Sequence, residues 1–291
     1  MDSKKKRTIY IAILVSLTVI VCTAAVAIRI GLFGKKILNT LDHSLSGASV
    51  NETVVLSDPI STINIDAEIG EFIIETGEAY SVSYDFPKEL EPQITNKNGN
   101  LKIVIKGNKK ANSMINMTKH SLIITIPEDA SLGDIAIEVN AGSVEIENIK
   151  AGGLNVITDA GSLDIRKCTL GDCDIETAAG SVDIRDCTLG NCDIETDAGS
   201  IDFRNCEAND CEMVTNMGSI AIKNSNIANG EFAVDLGSLE VIGNFESLSA
   251  TCSLGSIDIK SDNIEGKKME LETDLGSITV NGSSKGSSFS Q

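Results

Sequence analysis

The chain has 291 residues and a formal net charge of −18; only 3% of its residues are aromatic, and it contains no Trp and two His. This length suits one or two compact domains, or an elongated array in which each repeat packs on its neighbours. The scarcity of aromatic and imidazole groups argues against a bulky globular core, aromatic sugar-binding platforms and acid/base catalysis.

The N-terminal segment differs in composition from the rest of the chain. A basic stretch, residues 1–7, precedes an uncharged apolar stretch from Thr8 to Ile28, which spans about 31 Å as a helix and can cross a bilayer core. We predict a transmembrane helix over 8–30 and a linker over 31–49. The basic cluster outweighs the cations after the helix, so we expect a single-pass cell-membrane protein with its C-terminal body outside the cytoplasm. The alternative is a cleaved signal peptide ending near Ala27.

Residues 31–291 hold 19 of the 24 basic residues and 41 of the 42 acidic residues, a balance of −22. A body this acidic repels phosphates and anionic lipid headgroups. We therefore expect no nucleic-acid partner, and contact with the bilayer only through residues 8–30.

A motif of Gly-Ser, an aliphatic residue, usually an acid, and another apolar residue recurs along the second half of the chain. Its glycines are Gly142, Gly161, Gly180, Gly199, Gly218, Gly237, Gly255 and Gly276. Their spacing is constant over the first six copies and changes only slightly over the last two. A constant period of about 19 residues is typical of solenoids. The repeat predicts an all-β, parallel β-solenoid (β-helix) of about 19-residue coils.

Apolar and polar residues alternate within each period, as they do in strands. We assign two short strands to each coil, one after the Gly-Ser pair and one around Asp174 to Thr177. We assign no two-residue hairpin signal to these strand runs, so we expect each strand to pair in parallel with the next coil. Glycine is expected at the corner, where φ is positive or coils approach too closely for a Cβ.

Strand patterns without a clear period occupy residues 50–130, which we interpret as irregular coils and an N-terminal cap that covers the exposed end of the sheet. The regular repeats run over 131–281. Residues 282–291 are rich in Ser and Gly and are expected to form a polar tail or a terminal turn.

Six cysteines recur at the repeat period and predict two ladders of stacked thiols: Cys168, Cys187 and Cys206, and Cys173, Cys192 and Cys211. A cysteine that faces the core behaves as a small apolar residue. Disulfides within or between coils, or a thiolate metal site, are the alternatives. Seven cysteines lie outside the membrane segment, so at least one, such as Cys252, is left over from pairing.

Charged residues also recur at the period. Asp164, Asp183 and Asp202 are each followed, two positions later, by Arg166, Arg185 and Arg204, which predicts a salt-bridged outer face. On the second strand, Asp174, Glu176, Asp193, Glu195 and Glu212 have no cationic row. Calcium binding is an alternative role for this second set, although the glycine-rich nonapeptide of calcium-binding β-rolls is absent.

The sequence offers no catalytic constellation. His43 falls in the linker and His120 in the cap, and the Gly-Ser pairs recur in every coil, so they are architectural. We expect a protein that is not an enzyme, with no cofactor, no dedicated metal site and no catalytic residues.

The segment Ile124–Asp129 (ITIPED), the regular Gly-Ser repeats and the closing Thr273–Val280 (TDLGSITV) together resemble a bacterial β-strand-repeat family of unknown function that is commonly labelled as adhesins. The resemblance covers roughly residues 50–281. It implies the architecture and offers no catalytic residues, and some relatives look linked to envelope-stress regulation.

Together these features predict a membrane-anchored, cell-surface binding scaffold whose sheet faces contact another macromolecule of the envelope or of another cell. The alternative is an envelope-stress sensor that signals through its membrane helix. The stretch that precedes that helix, residues 1–7, is too short for a signalling domain of its own.

Overall fold

A computed structural model of the chain describes residues 49–107 and 120–291. The predicted N-terminal segment, transmembrane helix and linker, apart from residue 49, lie outside the described residues. Within the described ranges, no helix is both long enough and apolar enough to cross a membrane.

The described chain consists of strands and a single 3₁₀ turn. In chain order these are β1 (Ser49–Val55), β2 (Thr62–Gly77), β3 (Ser81–Pro87), the 3₁₀ turn (Lys88–Leu90), β4 (Gln93–Lys97), β5 (Asn100–Ile105), β6 (Ser121–Pro127), β7 (Leu132–Glu147), β8 (Lys150–Ala160), β9 (Leu163–Arg166), β10 (Thr169–Ala179), β11 (Val182–Arg185), β12 (Thr188–Leu189), β13 (Cys192–Ala198), β14 (Ile201–Arg204), β15 (Glu207–Lys260), β16 (Lys268–Val280), β17 (Ser283–Gly286) and β18 (Ser288–Ser290). The long β15 follows the chain through more than one coil.

Each coil pairs in parallel with the next, and residues one period apart are direct partners. β10 pairs with β13 so that Cys173 lies beside Cys192, and β9 pairs with β11 so that Asp164 lies beside Asp183. The shift between partners equals the predicted repeat, which confirms the parallel β-solenoid and its period.

The interior of a coil is formed by every second side chain of its strands. In the coil that begins at Gly161, seven side chains are buried: Leu163, Ile165, Cys168, Leu170, Cys173, Ile175 and Thr177. Equivalent residues of the next coil lie directly above them, so the core is a set of continuous side-chain ladders. The driving force is burial of aliphatic surface, since few aromatic rings are present.

The glycine of each Gly-Ser pair lies at the corner between the last strand of one period and the first strand of the next. A Cβ on Gly180 would lie 1.6 Å from the carbonyl oxygen of Gly161, and Gly161 itself has φ +158°. The corner therefore requires glycine because successive coils touch there through their backbones.

A second turn adopts the left-handed conformation at a non-glycine residue in five successive coils. The residues are Asn148, Lys167, Asp186, Asn205 and Asn224, with φ between 53° and 58°. Asn and Asp tolerate this region better than other side chains do. These turns recur at the repeat period over five coils, a regularity that our sequence interpretation overlooked.

The N-terminal part of the solenoid does not follow chain order. β2 is the first regular strand and pairs in parallel with β7 on one side, Gly70 lying beside Gly142. On its other side β2 pairs in parallel with β5 and β6, which come later in the chain. Antiparallel strands β1, β3 and β4 complete this end, β3 pairing with β6 and β4 with β5.

Two Asn-Gly pairs, missed in our assignment of hairpin signals, form tight hairpins. Asn98 and Gly99 join β4 to β5, and Asn281 and Gly282 join β16 to β17. β17 and β18 then pair antiparallel with β16. The C-terminal end of the chain thus forms a two-strand cover on the final coil, whereas we expected a polar tail or turn.

Candidate binding surface

The outward side chains of the strand that follows each Gly-Ser pair form a charge-compensated surface, which we name the balanced face. It carries Glu145, Asp164, Asp183, Asp202, Glu240, Asp258, Arg166, Arg185, Arg204, Lys223 and Lys260. Arg185 pairs with Asp183 of its own coil at 2.7 Å and with Asp164 of the preceding coil at 3.0 Å. The structure therefore brings together the acidic and basic rows expected from the sequence.

Two carboxyl groups of the balanced face have shifted pKa values of opposite sign. Desolvation by burial raises the pKa of Asp164 despite the attraction of Arg185. A hydrogen bond from Lys223 lowers the pKa of Glu240, and Lys260 adds to this effect. Half-buried acids on this face thus depend on their cationic neighbours to stay charged.

The outward side chains of the other long strand of each coil form the acidic face. We define it by four neighbouring rows that carry sixteen carboxylates: Asp134, Glu138, Asp159, Asp172, Asp174, Glu176, Asp193, Glu195, Asp197, Asp210, Glu212, Glu231, Asp235, Glu270, Glu272 and Asp274. Over the coils from β7 to β16, Lys268 is the single cation in these rows. Beyond β7, Lys102 continues the row of Asp174, and Asp66, in the row of Glu138, pairs with Lys106 at 2.7 Å. In the described chain no ion pair forms with any of the sixteen.

Amide and hydroxyl groups separate the charges in the two outer rows of the acidic face. Asn229 donates to Asp210 at 2.7 Å, and Asn216 donates to Asp197 at 2.8 Å. Ser253 reaches Asp235 at 3.4 Å in the same way. A neutral donor from the next coil therefore alternates with a carboxylate, which reduces repulsion along these rows.

Both inner rows of the acidic face contain directly stacked carboxylates: Glu176 lies beside Glu195 in one of them, and the other holds a longer run. We name it the acid ladder: Asp174, Asp193, Glu212 and Glu231 occupy four successive coils. Asn155 donates to Asp174 at 3.1 Å at the start of the ladder. Directly stacked carboxylates without a cation between them are unfavourable for folding, so this row costs stability.

A groove of about 890 Å³ runs along the acidic face between the acid ladder and the outer row of Asp172 and Asp210. Seven carboxylates and one ammonium group, that of Lys268, belong to its lining residues. Its floor is formed at the buried positions of Cys173, Cys192 and Cys211 and at Gly230, and Gln291 of the C-terminal cover lies at one end. The groove is thus a long, acidic and open channel.

Comparison with known proteins agrees with this fold. The model of the Toastrack DUF4097 family matches residues 60–242, well over half of the chain. The chain belongs to the Toastrack DUF4097 family. This confirms the resemblance drawn from the Gly-Ser repeats.

Solved structures match this Toastrack chain over most of its length at low sequence identity. A "putative adhesin" from Bacteroides fragilis is 20% identical with a TM-score of 0.53, covering 81% of this chain and 98% of that one. A "putative adhesin" from Parabacteroides distasonis is 14% identical (TM-score 0.46; 81% and 97% covered), and a "putative lipid binding protein" from the same species is 17% identical (TM-score 0.46; 82% and 96% covered). Among curated proteins, none matches the chain.

The thiols of the first ladder in this Toastrack protein form hydrogen bonds with the backbone of the left-handed turns. Cys187 Sγ accepts a hydrogen bond from the Cys168 N–H at 3.4 Å, and its thiol donates to the Arg185 carbonyl at 3.1 Å. Ser225 performs the same two functions one rung above Cys206, at 3.1 Å and 3.0 Å. The thiol thus supplies an acceptor for the Cys168 N–H, and it adds a second donor to a carbonyl that already accepts from the Lys167 N–H at 3.0 Å. Hydrogen bonds with the thiols of Cys168 and Cys206 on both sides lower the pKa of Cys187 below its usual value.

The second thiol ladder lies under the acidic face and lacks backbone partners of this kind in the described chain. The neighbours of the Cys192 thiol are those of Cys173 and Cys211, and these contacts together with burial raise its pKa well above the usual value. All seven described cysteines are buried and free, so the structure shows stacked thiols and not the alternative of disulfides. The described residues contain no group of three or more His, Cys, Asp or Glu side chains arranged to hold a metal ion.

The described imidazole lies away from both faces. His120 stacks on Phe86 in the N-terminal cap, with ring centroids 5.5 Å apart. His43 lies outside the described residues.

Proposed function

We propose that this protein is a non-catalytic binding scaffold, anchored in the cell membrane through residues 8–30, that displays its acidic face outside the cytoplasm to cationic surfaces of other macromolecules. The observation that supports the proposal best is the contrast between the two faces. Carboxylates of the balanced face are paired with cations, whereas sixteen carboxylates of the acidic face have none in the described chain.

The acid ladder supports a binding role because its stacked carboxylates lower the stability of the fold. Neutral donors separate the carboxylates of the two outer rows, so the coil accommodates a compensated row without difficulty. Four successive uncompensated acids weaken the coil, yet they produce a strong negative potential over a flat surface. Such a surface suits repeated contact with a cationic partner better than it suits a single deep pocket.

The family context supports a scaffold of this kind. The similar Bacteroides fragilis structure shares the solenoid fold and carries an adhesin name. Membrane anchorage is supported by the sequence of residues 1–30, where four successive cations precede an uncharged apolar stretch.

The proposal is tested on intact cells that carry the full-length chain. External protease is expected to release the repeat region without lysis, with a cytoplasmic protein as leakage control. Attachment of cells to glass coated with a cationic polymer is expected to fall severalfold for Asp193→Asn/Glu212→Gln/Glu231→Gln. The matched control is Asp159→Asn/Asp197→Asn/Asp235→Asn, which removes three separated charges of the same face that do not line the groove and should leave attachment nearly unchanged.

Equal attachment by both variants and the parent would overturn the role of the acid ladder. If deletion of the solenoid leaves attachment intact but alters gene expression under membrane-active antibiotics, the envelope-sensor function replaces the scaffold. Full protection from external protease with cleavage only after lysis would contradict display outside the cell.

A further inference from the structure

The first thiol ladder places three thiols in one line across adjacent coils. Cys168, Cys187 and Cys206 occupy the same position of successive coils, are at most 2% exposed and are all free. The Cys187 sulfur lies 3.4 Å from the Cys168 nitrogen, and the Cys206 sulfur lies 3.4 Å from the Cys187 nitrogen. Each sulfur therefore lies directly beside the cysteine one coil earlier.

The distance between rungs suits a disulfide, but only between neighbouring cysteines. Adjacent parallel strands are about 4.8 Å apart, and disulfide-bonded cysteines have Cα atoms about 4.4–6.8 Å apart. Cys168 and Cys206 are separated by two rungs, about 9.6 Å, which is too far for a direct bond. Cys187 is therefore a member of either disulfide that this ladder can form.

The two ladders share this spacing but differ in the chemistry of the middle thiol. Hydrogen bonds with the Cys168 and Cys206 thiols lower the pKa of Cys187, and the Cys168 N–H also donates to its sulfur. The middle thiol of the second ladder, Cys192, has its pKa raised by its thiol neighbours and by burial. Because the thiolate is the nucleophile in thiol–disulfide exchange, the first ladder is the more reactive one.

The first ladder also adjoins the surface of the solenoid. Lys167, Asp186 and Asn205, which directly precede its three cysteines, are exposed and adopt the left-handed conformation. The second ladder instead lies in strands β10, β13 and β15, which pair in parallel with one another. Opening a surface turn costs less free energy than opening paired strands, so a small reagent reaches the first ladder more often.

We propose that Cys187 is a site of oxidation by small disulfide compounds, and that it forms a disulfide with Cys168 or Cys206 that joins two adjacent coils. The Cys187 thiolate attacks one sulfur of the oxidant, whose S–S bond breaks, and one half leaves as a thiolate. A neighbouring cysteine thiolate then displaces the second half. The two leaving thiolates take up the two protons that the cysteines lose. Two protein thiols are thus oxidised by two electrons while the oxidant is reduced to two thiols.

This disulfide links residues one repeat apart, so it constrains the unfolded chain and stabilises the solenoid. Such bonds persist in oxidising compartments outside the cytoplasm and are rare in reducing ones. The remaining cysteine of the ladder stays a free thiol. The inference goes beyond the proposed binding function and does not use the acidic face.

Incubation of the folded, full-length protein with hydroxyethyl disulfide, followed by a thiol count in denaturant, tests the proposal. The parent chain has eight cysteines, and we expect the count to fall by two. Cys187→Ser retains the hydrogen bonds of the turn, as Ser225 does, and is expected to lose thiols at least about tenfold more slowly. Cys168→Ser and Cys206→Ser each retain one neighbouring pair and should still lose two thiols.

The matched control is Cys192→Ala, which removes the middle thiol of the second ladder and should leave both the rate and the loss of two thiols unchanged. Circular dichroism checks that each variant is folded. Equal oxidation of Cys187→Ser and the parent, or a disulfide mapped between Cys173 and Cys192, would overturn the assignment to the first ladder. A folded parent that loses no thiols would show that the ladder is inert packing and would overturn the proposal as well.

Discussion

Polar groups are paired on the balanced face of each coil and largely unpaired on the acidic face. On the balanced side, Arg185 joins two aspartates and the Cys187 thiol satisfies a backbone N–H and a carbonyl. On the acidic side, Asp193 lies between two like charges, and the hydrogen-bond partners of the Cys192 thiol are the thiols of Cys173 and Cys211. The same fold supports both sides, so the difference lies in the choice of residues and not in the backbone. We infer that the balanced side holds the coils together and that the acidic side is available for binding.

The corner glycine that separates the two sides is expected to produce the largest effect on stability. Gly180→Ala places a Cβ 1.6 Å from a backbone oxygen that cannot rotate away. We expect a loss of at least about 3 kcal/mol in the free energy of unfolding, measured by urea denaturation.

The control for the corner is Gly152→Ala, where a new Cβ meets its nearest atom at 3.5 Å. This change should alter stability by no more than about 0.5 kcal/mol. Similar losses in both variants would show that glycine at the corner is not required by close contact between coils.

The thiol ladders provide the next largest contrast. Cys187→Ser is expected to cost less than about 1 kcal/mol, because a hydroxyl makes the same two hydrogen bonds that Ser225 already makes. Cys192→Ser buries a hydroxyl between two thiols and is expected to cost about 1–3 kcal/mol. Urea denaturation of both variants measures the difference, and equal costs would remove the distinction between the ladders.

Neutralising one aspartate on each side should change stability in opposite directions. Asp183→Asn breaks the 2.7 Å ion pair with Arg185, with an expected loss of up to about 1 kcal/mol. Asp193→Asn relieves repulsion from Asp174 and Glu212, with an expected gain of about 0.3 kcal/mol. Both effects should shrink in high salt. A loss of stability in both variants would indicate that other groups already offset the repulsion between the carboxylates of the acid ladder.

The features that the sequence predicted are those that repeat at one period. Gly161 and Gly180, or Cys173 and Cys192, lie beside each other because every coil has the same length, so spacing alone predicts coil, register and ladder. The unpaired charge of the second strand was evident for the same reason. The left-handed turns at Asn205 and Asn224 follow the period too, but the same turn carries Lys167 and Asp186 in other coils, so no single residue type marks it in the sequence.

Other features depend on pairing between distant segments and carry no local pattern. Gly70 lies beside Gly142, far along the chain, because β5 and β6 occupy the layer beneath β2. The groove needs the separation of two outward rows and the position of Gln291, neither of which periodicity specifies. The hairpins at Asn98 and Asn281 are different, since an Asn-Gly pair is a local signal that could have been found.

The smallest expected effect concerns acid on the balanced face. The pKa of Glu240 is lowered from its usual 4.5 by the hydrogen bond from Lys223 and by Lys260, and a depressed folded-state pKa contributes stability that is present above the unfolded value and lost as pH falls through the folded one. Urea denaturation should therefore show parent protein more stable than Glu240→Gln at pH 7, with the difference vanishing below the lowered pKa. The group is partly exposed, so the difference is small and decreases with salt. A difference that persists unchanged at low pH would mean that Glu240 acts through packing and not through its charge. The ion pairs of Glu240 would then not explain how the balanced face stabilises the coils.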